Sequence, residues 1–255
     1  MRIGFISDIH EDIESLRGAF LALERMQCDE VVCLGDIVGF TLPFQRHIRR
    51  RDANACLAMV RAQCAVVVAG NHDLFAARRT PDYDAGFVYG ANWYALDYDE
   101  RARRSRNRVW LYEDSEMPHF LSPASRDYLA SLPEFAVTEF DGERFFLSHF
   151  HYPDLSGSRI DSLRRARHLR RHFTFINGHR CTLSFSGHGH PEGCARSNHA
   201  KLRFLPFGSY VIDGESEWIA GPCVANTTRA NGMMMFDTAT RQLDVIPLAS
   251  RKTIV

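Results

Sequence analysis

The chain has no stretch near the roughly 18 apolar residues that a membrane-spanning helix needs. Its opening, MRIGFISDIH, also lacks the basic region and apolar run of a secretory signal. Both absences lead to the expectation of a soluble, cytoplasmic protein that does not work in a membrane. C-x-x-C is missing too. The seven cysteines, at 28, 33, 56, 64, 181, 194 and 223, form an odd set, and several sit in apolar runs such as DEVVCLGD. Reduced core thiols fit that pattern better than a disulfide framework or a zinc ribbon.

Excess charge of either sign is absent, with 31 basic against 31 acidic residues, so no overall field draws in nucleic acid or a membrane. Lysine occurs only at Lys201 and Lys252, and arginine clusters at 49–51, 101–108 and 159–171. Guanidinium forks suit phosphate oxygens, but charge runs are more often solvated faces. In the last cluster Ile160, Leu163, Ala166 and Leu169 have the spacing of an amphipathic helix. A solvated face is therefore expected there. No repeat, low-complexity tract or Gly/Ser/Pro-rich linker divides the chain, so a single domain over residues 1–255 is expected.

What is present is an alternation. RIGFIS reads as a strand, IESLRGAFLALERM as a helix with apolar residues at 13, 16, 20 and 23, and EVVCLG as a strand again. Residues 44–62 are helix-like, and CAVVVAG closes a βαβαβ rhythm. Residues 74–133 interrupt it, and we expect a helical excursion there, with Ser122 and Pro123 as N-cap and first helical residue of its last helix. Two strand-like runs then flank Asp141-Gly142, a hairpin signal. The remainder, from TLSFSG to LDVIPL, reads as mostly antiparallel β.

Polar residues gather just past the strands: Ser7-Asp8-Ile9-His10, Gly35-Asp36, Gly70-Asn71-His72-Asp73, Ser148-His149, and Gly187-His188-Gly189-His190. In open α/β sheets ligands bind at that edge. The i, i+2 spacing of His188 and His190 fits no helix face, whereas an extended segment would turn both rings to one side. Two aspartates, one asparagine and four histidines, without a thiolate, suit manganese, iron, cobalt or zinc. Seven such donors exceed one closed structural site and point to two ions.

Taken in order, D-x-H, G-D, G-N-H-D, H and G-H-x-H resembles the signature of the calcineurin-like metallophosphoesterase superfamily. DEVVCLGDIVGF and GMMMFD look like its bacterial and archaeal phosphodiesterase or diadenosine tetraphosphatase-like branch. The resemblance implies an α/β fold of two mixed sheets packed face to face and flanked by helices, in four layers. It also implies that Asp8, His10 and His190 hold one di- or trivalent metal ion and that Asn71, His149 and His188 hold another, with Asp36 bridging. His72 would face the substrate phosphate as general acid, and Asp73 would orient its imidazole. Hydroxide between the ions would then attack phosphorus in line, and the substrate would be a small phosphomonoester, phosphodiester or nucleotide phosphoanhydride. A nuclease of the same superfamily and a non-catalytic metal-binding scaffold are the rivals. Zero net charge speaks against the first, and the intact His72 against the second.

Two departures stand out. Glu11-Asp12 follow D-x-H where relatives commonly carry Gly-Asn, and the start of a helix is their expected role. AGPCVAN (220–226) stands where relatives tend to have a serine-bearing element. His151 and His179 are expected to be structural.

Overall fold

The apolar N-terminal run becomes β1 (Arg2–Ile6), and the amphipathic stretch after it becomes α1 (Ile13–Arg25). Asp12 caps that helix by accepting the Ser15 N–H at 3.1 Å on Oδ1, satisfying a donor that the first turn cannot. Ile13, Leu16, Ala19 and Leu23 form its buried face. These features come from a computed structural model that describes residues 1–42, 44–160, 163–214 and 216–248.

In the first sheet β1 lies between β2 (Glu30–Cys33) and β13 (Gly232–Asp237). Beyond β2 comes β4 (Val66–Val67), and beyond β13 come β14 (Gln242–Pro247) and β11 (Gly208–Val211). The β1–β2–β4 side is parallel and the rest antiparallel. The second sheet runs β10 (Leu202–Leu205), β9 (Cys194–Ser197), β12 (Glu217–Ala220), β8 (Leu183–Ser186), β7 (Glu143–Ser148), β6 (Phe135–Phe140). Its β7–β8 and β8–β12 pairs are parallel. Asp141 and Gly142 turn β6 into β7 with φ of 54° and 78°, the left-handed conformations that a tight hairpin demands.

The inner faces meet in one apolar layer, where Ile3, Phe5 and Val32 of the first sheet pack against Phe145, Leu183, Phe185 and Ile219 of the second. The Phe5 and Phe185 rings stack with centroids 4.1 Å apart. Outside the first sheet, Leu16 of α1, Leu57 and Val60 of α2 (Ala53–Gln63) and Leu129 of α5 (Pro123–Ser131) share a cluster with Ile6 and Cys33. Outside the second, Phe173 and Ile176 of α6 (Arg170–Gly178) join Phe146 and Trp218. Two mixed sheets between helical layers result, as expected.

Three expectations need correction. The 44–62 segment holds a 3-10 turn at Ile48–Arg50 and becomes α-helical only at Ala53, because the Asp52 carboxylate accepts the Ala55 N–H at 2.9 Å and starts the helix there. The 74–133 excursion is helical in part and irregular between its helices: α3 (Asn71–Ala76) ends in it, α4 (Tyr98–Ser105) and α5 are its α-helices, 3-10 turns lie at Trp93–Ala95 and Tyr112–Asp114, and Phe87, Trp93 and Val109 form its own small core. It also contributes β5 (Glu116–Met117), which pairs antiparallel with β3 (Phe40–Thr41). The 159–171 cluster enters a helix only from Ala166, Ile160 is exposed, and residues 161–162 lie outside the described residues.

All seven cysteines are free thiols. Among the described residues no helix is long and apolar enough to cross a membrane. Several arginines are spoken for by carboxylates: Arg101 pairs with Glu113 at 2.6 Å, and Arg103 and Arg104 pair with Glu100 at 2.7 and 2.6 Å.

Candidate metal centre

The parallel strands place their following loops at one edge, and every polar cluster read from the sequence arrives there. Asp8 Oδ1 lies 2.8 Å from His190 Nε2, 4.0 Å from His10 Nε2 and 3.8 Å from His149 Nε2. Asp36 Oδ2 lies 3.0 Å from His149 Nε2. Asn71 opens α3, with Oδ1 3.1 Å from His188 Nδ1. Among the described residues three groups have ligand atoms within 4.8 Å of one another: Asp8, His10 and His190; His10, Asp36 and His72; and Asp36, His149 and His188.

The backbone that presents these groups is bent in an unusual way. Asp8, His10, Asp36, His188 and His190 all have positive φ, at 57°, 45°, 53°, 67° and 45°. Such conformations cost on the order of 1–3 kcal/mol each and persist only where the surroundings enforce them. Here they are enforced: the Asp8 N–H donates to Gly35 O at 2.9 Å, the His10 N–H to Asp36 O at 3.0 Å, and the His188 N–H to Asp8 Oδ2 at 3.0 Å. His188 and His190 therefore do not reach the site by strand alternation. β8 ends at Ser186, and two left-handed residues in the loop after it send the rings to different groups.

Two imidazoles are oriented from behind. Nδ1 of His10 donates to Gly39 O and Nδ1 of His149 to Leu34 O, each at 2.7 Å, which leaves Nε2 of each ring turned into the cluster. His10 Nε2 stands 3.4 Å from His190 Nε2, and buried His149 Nε2 faces the Asp36 carboxylate. Asp8 and Asp36 are buried with histidines as their only ion-pair partners among the described residues. Burying such charges unpaired is costly. Two carboxylates, an amide oxygen and converging imidazoles thus fit cations of the borderline class.

The protons of the protein alone reflect the same crowding. Burial and then the neighbouring His72 push His10 down to about 3, and burial with His149 does the same to His188. Burial also opposes charge on His149, but Asp36 and Asp8 outweigh it and raise that ring to about 9. His190 is raised well above the ordinary value against its burial, by Cys223 and Asp8.

His72 reaches the same edge, but its partner is not the one expected. The Asp73 carboxylate turns inward and accepts the N–H groups of Ile37, Val38 and Gly70 at 2.9, 3.2 and 3.0 Å. It braces the loop that carries Asp36 and does not orient His72. His72 Nδ1 instead donates to Glu116 Oε2 at 2.5 Å. Burial lowers His72, yet Glu116 and Asp36 together raise it to about 9. Glu116 had no signal in the sequence, being one acid among many in the excursion.

Of the departures, Asp12 caps α1 as expected, whereas Glu11 does not serve that helix: it accepts the Gly39 N–H at 3.2 Å and Arg51 Nε at 2.8 Å. AGPCVAN lies against the site, with the Cys223 thiol donating to Asp8 O at 3.0 Å. His151 is buried beside Phe150 and Trp218, and His179 ends α6 against Phe135, Phe146 and Phe175. Neither joins a ligand group among the described residues. A cavity of about 360 Å³ opens over the cluster, with His72 and His190 in its floor and Phe44, Trp110, Tyr112 and Arg229 around it.

Residues 1–220 match the family model described as "Calcineurin-like phosphoesterase superfamily domain". An uncharacterized protein of Methanocaldococcus jannaschii is 32% identical over 71 residues, which is 28% of this chain and 26% of that protein. The matched segment thus spans about a quarter of that relative's length. Among solved structures, a metallophosphoesterase from Sphaerobacter thermophilus is similar with a TM-score of 0.66 at 20% identity, over 98% of this chain and 89% of that one. A hypothetical protein from Pyrococcus horikoshii OT3 has a TM-score of 0.59 at 13% identity over the same shares. At these identities the likeness concerns the fold.

Proposed function

The chain belongs to the calcineurin-like phosphoesterase superfamily, and from that premise we propose that it is a hydrolase of small phosphate esters or anhydrides that works with two metal ions. The observation that carries the reading is the shared carboxylate: Asp36 takes part in one group with His10 and in another with His149 and His188. Asp8, His10 and His190 would hold one ion, Asn71, His149 and His188 the other, and Asp36 both. Ions held there would supply Lewis acidity and acidify water at neutral pH.

The chain's own residues do the rest. The Gly39 and Leu34 carbonyls keep the two Nδ1–H groups occupied, so that Nε2 lone pairs face inward. His72, with a proton to spare near neutral pH, protonates the departing oxygen as the P–O bond breaks. Phe44, Trp110 and Tyr112 line the cavity and offer apolar surface to the ester's organic part. A cavity of about 360 Å³ suits one small organic phosphate better than a duplex, which favours this reading over a nuclease.

Asp36→Asn tests it. The variant should lose hydrolysis of both p-nitrophenyl phosphate and bis(p-nitrophenyl) phosphate, and elemental analysis should fall from about two ions per chain. Activity retained in the metal-loaded variant would remove the bridging role, and a wild-type chain that binds ions yet hydrolyses no phosphate ester in a broad screen would favour the scaffold.

A further inference from the structure

His72 is held on three sides by parts of the chain distant in sequence. Its backbone N–H donates to Asp36 Oδ1 at 2.9 Å. The Tyr112 ring packs against its imidazole with centroids 4.8 Å apart. Nδ1 meets Glu116 Oε2, and the Glu116 side chain is only 1% exposed. Glu116 reaches that point because β5 pairs with β3 in a register that sets Thr41 opposite Glu116 and Phe40 opposite Met117. The residue before β3 is Gly39, where a Cβ would lie 2.5 Å from His72 Nδ1, so the absence of a side chain there makes room for the ring.

The strand that carries Glu116 is itself strapped down. Arg51 donates to Glu11 Oε2 at 2.8 Å and to Pro118 O at 3.1 Å, and its guanidinium sits 4.8 Å from the Phe40 ring centroid. Glu11 in turn accepts the Gly39 N–H. His119 Nδ1 lies 3.1 Å from Glu116 Oε1. The ionisable groups around Glu116 include His72, His119, Glu11, Arg51 and Tyr94, and of these five His72 lines the substrate cavity.

We propose that Glu116 is the positioning residue for His72: it holds the Nδ1–H so that Nε2 is the nitrogen presented to the leaving-group oxygen. The inference rests on the assignment of His72 as general acid. In the step it serves, water oxygen bonds to phosphorus and the leaving oxygen takes the electron pair of the broken P–O bond. The Nε2 proton moves to that oxygen, and the proton lost by the attacking water restores His72. The Nδ1 proton stays on the ring, donated to Glu116, throughout. Glu11 and Arg51 become the supports of this arrangement, which gives the Glu11 departure a purpose that a helix start does not.

The test uses the full chain in two forms. In the metal-free protein, proton NMR should show a far-downfield ring N–H resonance that disappears in both His72→Ala and Glu116→Ala. In the metal-loaded enzyme, Glu116→Ala should lower kcat for alkyl esters by about 10²–10⁴, the share general acids supply, and for nitrophenyl esters by less than about tenfold, because nitrophenolate leaves without a proton. His72→Ala with Glu116→Ala should lose no more than His72→Ala alone. Glu116→Gln, whose amide oxygen can still accept the Nδ1–H, should recover part of the loss and serves if the alanine variant does not fold. Equal losses on both ester classes, or losses that multiply in the double variant, overturn the positioning role. If His72→Ala fails to discriminate between the esters, the general-acid reading falls and takes this inference with it. If it discriminates and neither Glu116 variant does, only the inference falls.

Discussion

Gly39→Ala changes no candidate ligand and no residue of the acid pair, yet it should disable the enzyme. The new Cβ would stand 2.5 Å from His72 Nδ1, 2.6 Å from its Cβ and 2.7 Å from its Cγ. Carbon contacts settle near 3.5–4.0 Å, so the ring must retreat by about 1 Å. A misplacement of about that size at a reacting group costs roughly 10²-fold in rate. Gly39 also has φ +92°, and an L-residue forced into left-handed backbone pays about 1–2 kcal/mol, or roughly 2–8 °C in Tm for a chain of this size. Gly142→Ala separates the two effects, because its φ is +78° with nothing within 4 Å of the added Cβ. Both variants should lose a comparable few degrees by calorimetry, and only Gly39→Ala should lose about two decades of kcat on alkyl esters. Since Gly39 O accepts from His10 Nδ1, metal content is measured alongside. A Gly39→Ala enzyme with full metal and a kcat within about twofold of wild type would refute the crowding of His72.

Metal binding should depend on pH with a definite sign. His149 is raised to about 9 and His190 well above its ordinary value, so both carry protons that a cation must displace, whereas His10 and His188 at about 3 do not. Affinity should therefore rise with pH up to about 9, by up to about 1.4 kcal/mol per proton per pH unit, and titration calorimetry in buffers of different ionisation heat should count the protons released. Binding that releases none between pH 6 and 8 would contradict the paired imidazolium groups. In the layer between the sheets, Phe185→Ala removes a fully buried ring stacked on Phe5 and should cost about 3–5 kcal/mol in urea unfolding. A loss under about 1 kcal/mol would mean that the sheets close over the cavity.

Local signals in the chain were enough for several elements. Asp12 and Ser122 accept the N–H groups of Ser15 and Ser125, and Asp141-Gly142 makes its hairpin, because caps and tight turns depend on a few adjacent residues. The clustering of Asp8, Asp36, Asn71, His149, His188 and His190 was legible too, since residues just past parallel strands share one edge whatever the loops do between them. Less was legible where backbone conformation intervened. GHGH suggested two rings on one face of an extended segment, but positive φ at both histidines sends them to separate groups.

What the amino-acid order determined by itself is the set of donors and the strand ends that carry them. The tertiary structure alone decided how they divide and what stands behind them. Asp73, next to His72 in the chain, spends its carboxylate on backbone N–H groups, while Glu116, 44 positions away, takes the imidazole. Adjacent side chains on a helix point in different directions, and the contact with Glu116 exists only because a two-residue strand pairs across the site and Gly39 has no side chain to block the ring.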